Sequence, residues 1–168
     1  MNVGGALAAF CEAEVEFIVV GGWCAIFHGS SHMTNDIDFF LSRTPENVKR
    51  IIMALAPYGP RPRDFPPGLP FVWDERSLGS MAMLTLTTQL GAIDLLFEVT
   101  GLSGFEELKV RAVEMEAFGQ RVLTLDLESL IVSKRAAGRP KLRRSREVTH
   151  LCSNRVTHSR NTIEKRIR

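Results

Sequence analysis

A short apolar run that stops at two glycines is the feature of this sequence that most constrains the fold. Residues Phe17–Val20 are rich in β-branched side chains and predict a buried strand. Gly21 and Gly22 follow at once, and a glycine pair permits a tight turn and a close approach of the backbone to another group. The segment Trp23–His28 then predicts a short helix. A helix that begins at such a turn directs unpaired N–H groups toward anions, so both glycines are candidate nucleotide-binding residues.

Thirteen residues separate the glycine pair from a pair of carboxylates. The segment Asp36–Leu41 reads as a strand, and alternation along a strand places Asp36 and Asp38 on one face. Two like charges held this close are costly unless a cation lies between them, and Mg²⁺ is the ion that carboxylates and phosphates commonly share. The competing interpretation is an ordinary solvated strand face.

A third carboxylate lies in a second apolar segment. Asp94 follows Ile93 and precedes Leu95, Leu96 and Phe97, which predicts a strand that carries an acid among buried residues. If this strand neighbours the first pair of carboxylates, then Asp36, Asp38 and Asp94 are candidate ligands of a two-metal site. In such a site Asp94 is the candidate for the ligand nearest the attacking oxygen, and for its general base.

Taken together, these motifs resemble the signature of the nucleotidyltransferases of the DNA polymerase β superfamily. Val20-Gly21-Gly22 and Asp36-Ile37-Asp38-Phe39 match every element of that signature. The sequence is most similar to small stand-alone members, including toxin–antitoxin and abortive-infection types. The resemblance implies a mixed β-sheet with helices packed mainly on one side, of the α/β (α+β) class.

The resemblance also implies further nucleotide-binding residues. The small members carry Gly-x-x-Arg-x-Thr before the two acids, where this sequence has Gly29-Ser-Ser-His32-Met-Thr34. His32 therefore stands at the position of an arginine, and Thr34 matches the family threonine. Near the C-terminus, Lys134 and Arg139 match family residues that reach the nucleotide, although Leu142 replaces a family acid.

Other segments complete a single predicted domain over residues 1–141. Thr44 and Pro45 read as the N-cap and first residue of a helix, and Asp126 reads as the N-cap of another. The segment Val113–Phe118 is compatible with a strand or a helix. The remaining predictions are a helix at Gly5–Glu14, an irregular proline-rich loop at Pro57–Pro70, strands at Met81–Thr87 and Ala92–Phe97, a helix at Phe105–Arg111 and a strand at Arg121–Leu125.

Positive charge is concentrated at the C-terminal end of the chain. Residues 1–133 contain nine Lys and Arg against seventeen Asp and Glu, whereas residues 134–168 contain twelve against two. Residues 142–168 are predicted to be a basic tail, helical or partly disordered. This tail fits either a solvated segment or one that contacts the phosphates of an RNA.

Cysteine usage and hydropathy indicate the compartment. Cys11, Cys24 and Cys152 are scattered and odd in number, which favours reduced thiols over a disulfide framework. The longest apolar run, Phe17–Phe27, is too short to span a bilayer. We therefore expect a cytoplasmic protein with no membrane partner.

The resemblance implies a Mg²⁺-dependent enzyme that moves a nucleoside monophosphate from an NTP, with ATP the first choice, to an acceptor hydroxyl. The acceptor is a small molecule, a tRNA or a partner protein. The alternative is a non-catalytic or antitoxin-like protein of the same fold that binds nucleotide, a partner protein or RNA.

Overall fold

Seven strands and six α-helices form the part of the chain that this computed structural model describes, which is residues 1–66, 68–79 and 81–138. The helices are α1 (Val3–Glu12), α2 (Gly21–Phe27), α3 (Pro45–Leu55), α4 (Glu75–Leu78), α5 (Phe105–Arg111) and α6 (Leu127–Ala136). The strands are β1 (Phe17–Val20), β2 (Asp36–Leu41), β3 (Arg61–Pro62), β4 (Met83–Thr88), β5 (Gly91–Leu96), β6 (Val113–Ala117) and β7 (Gln120–Thr124).

All seven strands belong to one mixed sheet in the order β3-β4-β5-β2-β1-β7-β6. The pairs β2/β5 and β1/β7 are parallel, and the other neighbouring pairs are antiparallel. The mixed sheet of an α+β protein is therefore confirmed. The strands β1 and β2 and the helix α5 have the predicted bounds, and β6 is a strand because it pairs with β7.

Helices cover both faces at the centre of the sheet. Adjacent residues of a strand point to opposite faces, and Phe39 contacts Phe10 of α1, whereas Phe40 contacts Phe105 of α5. The ring centroids are 4.3 Å and 5.5 Å apart, respectively. Every residue of β1 is buried, which also requires cover on both sides. This arrangement differs from the prediction of helices mainly on one side.

Three short elements were not predicted from the sequence: a 3-10 helix over Ala56–Tyr58, the strand β3 and the helix α4. The strand β3 has only two residues and lies in the proline-rich segment, where proline spacing hides a strand pattern. The helix α4 is a single turn, and its N-cap Asp74 forms a capping box with Ser77. The predicted tail 142–168 and the predicted site residue Arg139 lie outside the described residues.

A buried asparagine joins the start of β1 to the end of β2. The Asn47 side chain is on α3 and has no solvent exposure. Its amide oxygen accepts from the Glu16 amide at 2.7 Å, and its amide nitrogen donates to the carbonyls of Glu16 and Ser42 at 3.0 Å and 2.8 Å. Because buried backbone groups need partners, this side chain satisfies three of them at once.

We predict that Asn47→Ala lowers the free energy of unfolding by about 2–4 kcal/mol, because it removes three hydrogen bonds and takes this partner from the Glu16 amide and the buried Ser42 carbonyl. Urea denaturation followed by circular dichroism measures the change. The control is Met53→Ala on the same helix, where the side chain is 71% exposed and we expect a change within about 0.5 kcal/mol. Equal effects of the two substitutions would contradict this role.

Candidate active site

The register of two parallel strands brings two of the predicted carboxylates together. Asp38 of β2 lies directly beside Asp94 of β5, and Asp36 lies beside Ala92. Neighbouring strands are about 4.8 Å apart, and laterally paired residues of a parallel pair point to the same face. The predicted adjacency of the two strands is therefore correct. Asp94 is buried, with 8% of its surface exposed, whereas Asp36 and Asp38 are partly exposed.

The glycine pair makes room for side chains of the site. Gly21 has a φ of +63°, and a Cβ atom placed there would lie 2.0 Å from Asp38 Oδ2. A Cβ atom at Gly22 would lie 2.7 Å from the Cβ atom of Thr34. The Gly22 amide also donates to Asp38 Oδ2 at 3.4 Å. The turn therefore needs glycine because Asp38 and Thr34 occupy the space where side chains would stand.

Two predicted site residues lie in the segment before β2, and of these Thr34 contacts a carboxylate of the site. The Thr34 hydroxyl donates a short hydrogen bond to Asp36 Oδ1. His32 is exposed, and its backbone amide donates to the Ser30 hydroxyl at 3.3 Å. The threonine thus orients one carboxylate directly. A nucleotide-binding role for His32 stays a prediction.

An arginine that the sequence analysis missed pairs with the third carboxylate. Arg63 follows β3, and its guanidinium Nη2 lies 2.6 Å from Asp94 Oδ1. The side chains of Arg63 and Asp94 are 37% and 12% exposed, respectively. Arg63 is far from Asp94 along the chain and lies in an irregular segment, so no periodicity links the two. The only sequence signal in this region is its proline content, which predicts an irregular loop and does not indicate a partner for Arg63.

The carboxylates fit a magnesium ion in part. Asp36 and Asp38 supply the hard oxygen atoms that Mg²⁺ prefers. The Asp94 carboxylate, in contrast, is bound by the guanidinium of Arg63. Across the three described ranges, no group of three or more His, Cys, Asp or Glu side chains is arranged so that it could hold a metal ion. The pair on β2 is thus the part that fits, and Asp94 in this arrangement is the partner of an arginine.

The helix α6 brings Lys134 toward the glycine helix α2. The two helices pack together, and the charge of Lys134 is near enough to Cys24 to lower the pKa of that thiol slightly. The Leu125 carbonyl, just before α6, accepts from His28 Nε2 at 2.7 Å and from Cys24 Sγ at 3.6 Å. His28 therefore links the end of α2 to the residue that precedes the α6 cap through a hydrogen bond.

The cysteines of the described region are poor candidates for nucleophiles. Burial raises the pKa of Cys24 to about 11 despite its hydrogen bonds. Burial and the nearby charge of Glu12 also raise the pKa of Cys11. Both thiols are therefore protonated at neutral pH, and the thiolate is the reactive form.

Comparisons with known proteins identify no family for this chain. No model of a protein family matches the chain, and no curated protein sequence matches it. Among the helices of the described residues, none combines the length and the apolar character needed to cross a membrane.

We predict that Gly21→Ala costs clearly more stability than Gly59→Ala. The two glycines have similar positive φ values, +63° and +58°, so both substitutions carry a backbone cost of about 1–2 kcal/mol. At Gly59 the nearest atom to the added Cβ atom is Gln89 Nε2 at 3.8 Å, an ordinary contact, whereas at Gly21 it meets Asp38. The difference in unfolding free energy therefore measures chiefly the contact with Asp38, and we expect at least about 1 kcal/mol. Equal costs would show that Asp38 moves aside freely.

Proposed function

We propose that this protein is a nucleotidyltransferase that moves a nucleoside monophosphate from an NTP to an acceptor hydroxyl and releases pyrophosphate. The observation that carries the proposal is the parallel register that sets Asp38 beside Asp94, with the Gly21 turn packed against Asp38. Carboxylates from two strands beside a glycine turn are the arrangement that the resemblance to the DNA polymerase β superfamily implies. Composition alone does not predict this juxtaposition.

The reaction assigns a task to each carboxylate. Asp36 and Asp38 would hold Mg²⁺, which when bound would offset the negative charge of the triphosphate. The acceptor oxygen forms a bond to the α-phosphorus, and the bond from that phosphorus to the bridging oxygen of the β-phosphate breaks. Asp94 takes the hydroxyl proton, because β5 approaches the pair on β2 from the side opposite β1.

The residues that we propose to bind the NTP come from four segments of the chain. Gly21 and Gly22 lie at the phosphates, with Thr34 beside Asp36, and Lys134 approaches from α6. His32 and Arg139 complete the set by resemblance. ATP is the NTP we propose first, and the acceptor is a small molecule, a tRNA or a partner protein.

One observation favours the second candidate function, a non-catalytic or antitoxin-like protein of this fold that binds nucleotide, a partner protein or RNA. The ion pair between Arg63 and Asp94 satisfies the third carboxylate with a residue of the chain itself. A protein that only binds a nucleotide has no need of a proton acceptor at this position. Binding without turnover in the experiment below selects this candidate.

We predict that Mg²⁺ with a nucleotide stabilises the protein and that Asp38→Asn removes the effect. At a hundredfold excess of ligand over its Kd, the expected gain is about 2.7 kcal/mol, which raises Tm by roughly 5–10 °C. Thermal unfolding with ATP, CTP, GTP or UTP, each with and without Mg²⁺, measures this shift. Release of labelled pyrophosphate in the presence of candidate acceptors measures turnover, and Asp38→Asn should reduce it at least about a hundredfold.

The matched control is Glu116→Gln on β6, an exposed acid three strands away from β2. It also removes one negative charge, but we expect it to keep the full Tm shift and full turnover. Turnover that survives both Asp36→Asn and Asp38→Asn would refute the proposed function.

A further inference from the structure

The cation closest to the third carboxylate is part of the protein. Nη2 of Arg63 lies 2.6 Å from Asp94 Oδ1, a distance typical of a charge-assisted hydrogen bond. The Asp94 side chain is only 12% exposed, so solvent screens this pair less than it screens a surface pair. The pair therefore lies inside the cluster of carboxylates that the proposed function requires.

The backbone of Arg63 is held in place, whereas its side chain is long. The Arg63 amide donates to the Thr85 carbonyl at 2.9 Å, and Thr85 is the direct neighbour of Asp94 across β4 and β5. Aromatic contacts fix the segment beyond it: the ring centroids of Phe65 and Phe71 are 5.2 Å apart, and Phe71 also contacts Trp73. The side chain of Arg63 can therefore move away from Asp94 while its backbone stays bonded to β4.

A guanidinium and a divalent ion compete for the same carboxylate. Both need the lone pairs of the Asp94 oxygens, and the two positive charges repel each other strongly at a distance of a few ångströms. A metal ion bound by Asp36 and Asp38 therefore gains Asp94 as a ligand only if the guanidinium of Arg63 leaves.

We propose that Arg63 is a built-in competitor of divalent metal ions, which occupies Asp94 and keeps the metal affinity of the carboxylate site low until its guanidinium moves away. The proposal rests on the proposed function, because it concerns how the same site acquires its metal. Arg63 thus regulates the metal affinity of the site through its contact with Asp94.

The test is the affinity of the nucleotide-free protein for Mn²⁺, measured by electron paramagnetic resonance of the free ion and by titration calorimetry. Arg63→Gln removes the competing charge, and we expect it to raise the affinity at least about tenfold, since one nearby charge commonly changes carboxylate equilibria by that factor or more. Arg63→Lys keeps the charge and should stay within about threefold of the wild type. Circular dichroism and Tm without metal establish that each variant is folded.

The matched control is Arg61→Gln, two residues earlier. This arginine donates to the Leu69 carbonyl at 3.1 Å and lies over the ring of Phe65 at 5.5 Å. Its loss changes the net charge equally but removes no contact to Asp94, so the affinity for Mn²⁺ should not change. The double variant Arg63→Gln/Asp94→Asn should lose the gain of Arg63→Gln, because the ligand that was released is no longer a carboxylate.

An affinity of folded Arg63→Gln equal to or below that of the wild type would overturn the proposal. An equal rise in Arg61→Gln, or a gain that persists without the Asp94 carboxylate, would overturn it as well. The pyrophosphate assay separates this result from the proposed function. A tenfold gain in Mn²⁺ affinity without turnover would leave the competition intact and refute the transferase, whereas turnover with an unchanged Mn²⁺ affinity would refute only the role of Arg63.

Discussion

The burial of β2 between β1 and β5 is the constraint on which both the core and the candidate site depend. At one end of this strand Phe39, Phe40 and Leu41 are almost completely buried, and at the other end Asp36 and Asp38 reach partial exposure. A shift of one residue in the pairing would exchange the faces of every side chain in the strand. It would break the separate contacts of the two phenylalanines and turn both acids toward the apolar face. The same packing that sets the register therefore sets the position of the carboxylates.

Negative charge is costly at this partly buried site, and the chain offsets it with groups from three separate segments. The amide at the start of α2 donates to Asp38, the hydroxyl of Thr34 donates to Asp36, and the guanidinium of Arg63 binds Asp94. Carboxylates this near to one another repel each other unless hydrogen bonds or cations compensate. Each carboxylate thus has its own compensating donor. This arrangement allows the acids to stay together while no metal ion is bound.

The second half of the fold is joined to the site through the junction between β7 and α6. Asp126 caps α6 by accepting from the amide and the hydroxyl of Ser129. Burial alone would raise the pKa of Asp126, but these hydrogen bonds and the charge of Arg111 outweigh it and hold the pKa below its usual value. The cap therefore stays charged at neutral pH and stabilises the first turn of α6. Its position in turn determines how near Lys134 comes to α2.

Local patterns were sufficient to predict most elements, including the two strands that carry the three carboxylates. The apolar runs, the glycine pair, the caps Thr44 and Asp126, and the acid inside the β5 segment are all features of short stretches of sequence, where side-chain period and backbone preference act directly. The sequence left the pairing of these two strands as a condition, and the tertiary structure established it by setting Asp94 beside Asp38. Only the tertiary structure decided that α-helices cover both faces of the sheet centre and that Gly21 makes room for Asp38. It alone showed that Arg63 occupies Asp94, because a contact between a loop and a strand distant in sequence arises from chain packing and leaves no periodic trace in the sequence.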